Sequence, residues 1–376
     1  AYRYGGIALW GTADGETVRR LLGGRHWATS LAWAPEGGLL AAGYADATAR
    51  VWNPVTGKLR VLLEGHERMV TGVTWSPDGK FLATGSDDGT VRIWDPVTAE
   101  TVRVLKAPSR ITSVAWSPDG ELIAGGARDG NVFLWDPDTG ELVNTLKEST
   151  FSAAAIAWSP DGQFLTCGFT DVTIVIWDAA TWEAFQRLKG HRGSLRALAW
   201  SPDGGYLASG AIDAVVKIWD VTAGEETKAL SGHTGAIASL SFSPDCLFLA
   251  SGSSDGTVLV WQVAEELPNR PPIPEFNWEP VAFTGTDAPG HILVGQPVLF
   301  DASASRDPDG RIVQYAWDWD SDEEYDDVVT EPTIQHTFDT PGVYQVTLMV
   351  TDDRGATATL VKQVTVEEVG LPQLPR

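Results

Sequence analysis

The chain holds 376 residues with 27 basic and 50 acidic side chains, a formal net charge of −23, and 43% of it is hydrophobic and 10% aromatic. Such a composition supports packed cores and excludes a disordered chain, and the acidity excludes nucleic acid as a partner, because phosphate backbones require a clustered basic surface. The longest apolar run, Ala153 to Trp158, falls far short of the ~20 residues of a membrane-crossing helix, so no membrane insertion is expected.

From the N-terminus, the first predicted element is a strand from Tyr4 to Trp10. Its terminal tryptophan returns at Trp52, Trp94, Trp135, Trp177, Trp219 and Trp261, at spacings of 42, 42, 41, 42, 42 and 42 residues. Each of these six stands six residues after an aspartate: Asp46, Asp88, Asp129, Asp171, Asp213 or Asp255. Seventeen to nineteen residues before each tryptophan comes a turn of the type Trp75-Ser-Pro-Asp-Gly79, echoed from Trp116, Trp158 and Trp200. Trp33-Ala-Pro-Glu-Gly37 and Phe242-Ser-Pro-Asp-Cys246 are weaker copies. Proline and glycine punctuate tight turns, and a period near 42 accommodates four short strands.

These residues resemble the WD-repeat family, whose name dipeptide stands at Trp94-Asp95, Trp135-Asp136, Trp177-Asp178 and Trp219-Asp220. The resemblance spans residues 1–264 and departs at Trp10-Gly11, Trp52-Asn53 and Trp261-Gln262. It implies an all-β propeller whose blades carry strands a to d from centre to rim and bury both faces of most strands. Six stretches read as complete a-b-c sets, whereas Tyr4 to Trp10 reads as strand c alone, so seven blade-equivalents with an incomplete first one are expected. The alternative is six closed blades, with Glu16 to Leu22 as the last outer strand. Unfinished blades expose strand edges, which favours pairing with a protein partner or with copies of the chain.

A Ser-His-Asp hydrolase centre is suggested at first sight by His66, Thr84, Asp88 and Trp94, which recur as His191, Ser209, Asp213, Trp219 and as His233, Ser251, Asp255, Trp261. A catalytic set is needed once, but this one returns with the repeat. The family resemblance implies structural hydrogen-bonded quartets, and no catalytic residue is assigned. Cys167 takes the hydroxyl position of its repeat, and Gly24, Ala107 and Ser149 take the histidine position. Cys246 takes a turn-glycine position, and no bond between the two cysteines is expected.

Rigid scaffolds carry function on variable loops. Arg25, Trp27, Arg68, Met69, Arg110, Phe151 and Arg192 precede the strands a, and Arg128 precedes a quartet aspartate, so all open on one face. Arginine with aromatic and methionine side chains is the composition of a binding surface, here for an anionic partner.

Pro268 to Pro274 reads as a stiff linker. Beyond residue 264 there are 21 acidic and 6 basic residues, against 29 and 21 before it, so a second domain with its own electrostatics is expected. Tyr344, Val346, Leu348 and Val350 alternate along a half-buried strand. Pro297 to Gly310, Tyr315-Ala-Trp317-Asp318, Pro341-Gly342-Val-Tyr344 and Val350-Thr-Asp352 resemble a PKD (polycystic kidney disease) domain, an immunoglobulin-like β-sandwich. The resemblance implies an extracellular or cell-surface setting, microbial included. The expected division is 1–264 propeller, 265–272 linker, 273–369 sandwich and 370–376 tail.

Between Asp318 and Asp327 stand seven carboxylates in ten residues. Asp318, Asp320 and Asp322 have the alternate spacing of an oxygen-rich calcium loop, aided by Asp301, Asp307 or Asp309, though an EF-hand is excluded by the missing glycine and glutamate. Calcium is the single cofactor considered. The chain is accordingly read as a non-catalytic scaffold for protein interaction, not an enzyme. The alternative is a polymer- or carbohydrate-binding accessory module using Trp278 or Trp182 as a stacking platform.

Overall fold

The computed structural model describes residues 6–11, 15–22, 25–263, 271–281, 292–307, 311–322 and 324–368. Tyr4, Gly24, the linker residues 265–270, Asp309, Gly310, Glu323 and the tail 370–376 lie outside these. Every regular element among the described residues is a β-strand, and no helix is long and apolar enough to cross a membrane. The chain divides into two compact units, residues 1–242 with 249–261 and residues 243–248 with 262–376.

The first unit is a series of antiparallel sheets in chain order. Gly6–Trp10 pairs with Thr17–Leu22 as blade 1. Five four-stranded blades follow, spanning residues 28–64, 70–106, 111–147, 153–189 and 195–231, and blade 7 has three strands over residues 237–262. Within each complete blade the strands run a-b-c-d as a meander, and from blade 2 onward successive strands a pack against one another. Thr17–Leu22 pairs with Gly6–Trp10 and not with the last strand of blade 7, so the six-blade alternative is corrected in favour of seven blade-equivalents.

Local chemistry explains the repetition. In each Ser-Pro-Asp-Gly turn the serine hydroxyl bonds the aspartate and accepts from a backbone N–H, as Ser76 does with Asp78 at 2.6 Å and Phe81 at 2.9 Å. The fourth residue is left-handed, with φ of 70° at Gly79 and 58° at Cys246. Strands b, such as Leu40–Tyr44, Leu82–Ser86 and Ile123–Ala127, are buried along their whole length. Their small residues follow from blade stacking: a Cβ on Gly43 would lie 2.6 Å from Val70 of the next blade, and one on Gly85 the same distance from Ile111.

The second unit is a sandwich. One sheet joins Asn277–Pro280, Pro297–Asp301 and Thr333–Thr337. The other orders Ile292–Leu293, Thr357–Glu367, Gly342–Asp352, Ile312–Asp318 and Asp327–Val329. Phe276, Phe300, Trp317, Trp319 and Phe338 fill the space between them with Val346, Leu348 and Val350, so the expected alternation holds. Trp317 and Trp319 stack at 5.2 Å.

Candidate functional site

Three quartets form as one directed chain of hydrogen bonds. In blade 3 the Trp94 indole N–H donates to Thr84 Oγ1 at 2.8 Å, Thr84 meets His66 Nε2 at 2.7 Å, and His66 Nδ1 meets Asp88 Oδ2 at 2.8 Å. Blade 6 repeats it through Trp219, Ser209, His191 and Asp213 at 2.7, 2.8 and 3.0 Å. Blade 7 repeats it through Trp261, Ser251, His233 and Asp255 at 2.8, 2.8 and 3.0 Å. An ionised carboxylate only accepts, so Nδ1 is assigned the proton and Nε2 accepts from the hydroxyl. The indole occupies the hydroxyl oxygen from its other side. The three histidine side chains are at most 1% exposed.

The carboxylates tie two loops together. Asp88 accepts from the N–H of Glu67 before strand a and from that of Thr90 after the b-c turn, at 3.0 and 2.8 Å. Burial would raise the Asp88 carboxyl, but its hydrogen bonds to Thr90, His66 and the Glu67 N–H outweigh this and hold it below its usual value. Burial likewise pushes His66 and His191 below the usual imidazole value, keeping them neutral.

Blades 4 and 5 depart from this pattern. In blade 4, Ala107 replaces histidine and Gly125 replaces the hydroxyl residue, and the Trp135 ring fills the room of a Cβ at Gly125. In blade 5, Ser149 Oγ donates to Asp171 at 2.8 Å. Cys167 is fully buried, and desolvation followed by the nearby Asp171 charge pushes its thiol well above the ordinary value. It is therefore no thiolate nucleophile. Cys246 is buried too, and neither cysteine forms a disulfide.

The loop residues singled out from sequence lie in the segments that enter strands a, with Arg128 in a b-c turn. Arg25, Trp27, Arg68, Arg110, Arg128, Phe151 and Arg192 are exposed, whereas Met69 is half-buried. Arg110 and Arg128 line one cavity of about 450 Å³ with Asp88, Ser109 and Asp129. A second of about 390 Å³ lies by Lys147, Ser149, Phe151 and Asp171. Sequence reasoning did not place these cavities, although the absent histidines and the 41-residue spacing were a signal.

Two expectations are corrected. Trp182 and Trp278 are half-buried, not open platforms: Trp182 packs edge-on against Trp158 at 6.1 Å and Trp278 lies beside Phe276 and Phe300. In the acidic loop, the carboxylates within 4.8 Å of one another belong to Asp318, Asp320 and Asp326, not Asp322. The loop folds back through a left-handed Ser321, with φ of 65°, and Asp326 accepts from the Trp319 N–H at 2.9 Å. Three carboxylates this close could supply part of the roughly six to eight oxygens that calcium takes.

Successive blades in chain order, three of them holding a buried quartet, define a β-propeller of the WD type. The family model of the WD domain, G-beta repeat, matches residues 15–53, 57–95 and 224–262. That of the Echinoderm microtubule-associated protein second beta-propeller matches residues 80–232, and the PKD domain model matches 277–367. The chain is thus built of WD repeats followed by a PKD domain. Its PKD stretch is similar to a Microbial collagenase of Vibrio alginolyticus, 37% identical over 84 residues, or 21% of this chain and 10% of that protein. Collagenase ColA of Clostridium perfringens is 34% identical over 92 residues, 24% of this chain and 8% of the relative. Collagenase ColQ1 of Bacillus cereus is 32% identical over 87 residues, 23% of this chain and 9% of the relative. The chain spans no more than a tenth of the length of these relatives.

Proposed function

We propose that the chain is a non-catalytic extracellular scaffold whose propeller loop face holds a protein partner. The observation that carries this reading is the burial of all three quartets: each hydroxyl is taken up by an indole and an imidazole inside a blade. The hydroxyls and imidazoles are left no way to meet a substrate, while most loop side chains that differ between blades are exposed. The extracellular setting is supported by the PKD domain and by its similarity to microbial collagenases. Pull-down from a microbial surface and culture fraction tests it. A retained protein that is lost when Arg68, Arg110 and Arg192 are changed to Glu supports the reading, and hydrolysis of a broad substrate panel by the chain sinks it.

The same reading extends to copies of the chain. Leu31 and Trp33 of blade 2 are 50% and 53% exposed, where their equivalents in blade 3, Val73 and Trp75, are 6%. Val258 and Val260 of blade 7 are 50% and 66% exposed, where Val216 and Ile218 of blade 6 are fully covered. The two faces are the two sides of one repeated blade contact, so each suits the other on a second molecule. Light scattering that finds monomers at every concentration ends this extension.

A polymer-binding accessory role is the second reading, favoured by the collagenase similarity of the PKD stretch alone. Failure to bind a panel of glycans and fibrous proteins dismisses it.

A further inference from the structure

The quartet histidine is replaced by Gly24 before blade 2, by Ala107 in blade 4 and by Ser149 in blade 5, and the last two line the cavities on the loop face. A buried polar network specifies a loop's position; where it is given up, the loop is free to serve something else, and local departures from a repeat's own rule mark functional places. In blade 4 the loop before strand a, residues 107–110, is one residue shorter than the loop at 65–69 before blade 3. Its Ala107 N–H donates to Gly89 O at 2.9 Å, extending the outer strand pair of blade 3 by one rung. Ala107, in place of the imidazole, lines the open 450 Å³ cavity between the two b-c turns.

Two arginines enter that space together. The Arg128 N–H donates to Arg110 O at 2.9 Å, so both side chains spring from bonded backbone and line the same walls. The acids around them are already engaged. Asp88 holds His66, the Glu67 N–H and Thr90, and Asp129 accepts from the backbone and side-chain nitrogens of Asn131 at 3.2 and 2.8 Å. Asp87 forms an exposed ion pair with Arg110 at 3.7 Å, looser than a hydrogen bond and open to exchange with a partner carboxylate. Arg128 has no ion pair or side-chain hydrogen bond among the described residues. Each guanidinium carries five donors in a fork that matches a carboxylate. On the other side of the Arg128 turn, Gly130 sits directly against the Ser149 and Phe151 carbonyls, and the Phe151 ring is 55% exposed.

We infer that this patch is a peptide site: an Asp or Glu side chain of an extended partner segment enters between Arg110 and Arg128, and an adjacent apolar side chain lies on Phe151. The inference rests on the proposal that this face holds a protein, and it names that protein's chemistry. A free anion would use the arginines but leave the ring uncovered.

The test is to pan a random peptide phage library against the whole chain, then titrate one enriched peptide calorimetrically into wild type and variants. Enriched sequences are expected to pair an acidic residue with a neighbouring aromatic or aliphatic one. Arg128→Ala should weaken the peptide about tenfold or more, as loss of a charged hydrogen bond predicts. Phe151→Ser should weaken it less, and Ala107→His, which leaves both cations in place but fills the cavity, should weaken it as well. Arg128 and Phe151 are exposed and Ala107 is half-buried, and unchanged melting temperatures show the fold intact. Enriched peptides without acidic residues, or an affinity unmoved by Arg128→Ala, overturn the inference while leaving a scaffold with another contact surface. Absence of any retained peptide overturns it and counts against the scaffold as well.

Discussion

Blade 6 carries a whole quartet and blade 4 lacks its first two members, yet Trp219 and Trp135 are 2% and 1% exposed. Burial of the strand-c indole therefore does not depend on the polar network; blade-on-blade apolar packing achieves it alone. What differs is the loop. In blade 6 the Asp213 carboxylate holds the Arg192 N–H at 2.8 Å and His191 at 3.0 Å, fixing the segment before strand a over its own blade. In blade 4 no histidine or carboxylate hydrogen bond among the described residues holds that segment; Arg110 O still accepts from the Arg128 N–H, and Ala107 bonds Gly89 of blade 3. The quartet decides where a loop lies, and the core decides whether the blade exists.

The largest test of this division is removal of each indole. Trp219→Ala and Trp135→Ala should each cost about 3–5 kcal/mol in urea unfolding, and the two losses should agree within ~1 kcal/mol; a much larger loss in blade 6 would mean that the network, not packing, carries the blade. Next comes His191→Ala, which strands Ser209 and Asp213 and should cost about 1–3 kcal/mol. Hydrogen exchange should rise in the loop around Arg192 more than in strands b and c, whereas exchange spread evenly over the blade would break the comparison.

A smaller effect is expected from pH. His66 and His191 have depressed values in the fold, so the unfolded chain binds protons that the folded chain refuses. Stability is therefore full above the ordinary imidazole value of about 6.5 and falls as pH drops below it, by up to about 1.4 kcal/mol per pH unit for each histidine. Asp88 and Asp213 have depressed values as well, so their contribution is held above the ordinary carboxylate value of about 3.9 and is lost only at lower pH. His191→Ala should flatten the first stage in a series of urea midpoints between pH 7.5 and 5, and a slope identical to wild type would refute the assignment. Smallest is Cys167→Ser, which writes the blade 6 hydroxyl into blade 5 and should move stability by less than ~1 kcal/mol. Native protein should leave both thiols unlabelled by a thiol reagent, since each is buried.

Much of this was legible in the chain because the informative distances are short or repeated. The constant offsets from His191 to Ser209, Asp213 and Trp219 announced one unit copied along a period, and a unit copied that way serves structure before chemistry. The alternation of Val346, Leu348 and Val350 placed them in a core for the plain reason that strand side chains change face at every residue. Legibility stopped where two segments meet that no local rule relates. The spacing of Asp318, Asp320 and Asp322 described an extended loop, and the turn at Ser321 brought Asp326 in instead. Trp182 looked like a free platform, but its left-handed backbone, with φ of 59°, lays the indole against Trp158.

By itself the sequence determined the blade period, the strand-c tryptophans, the quartets and the second domain, because each is written in periodicity and turn chemistry that act within a few residues of backbone. Only the tertiary structure decided that the strand Thr17–Leu22 belongs to blade 1 rather than blade 7, and that Arg110 and Arg128 line one open cavity beside Ala107. Those outcomes depend on which neighbour offers an edge or a turn, and that choice is set by packing between blades.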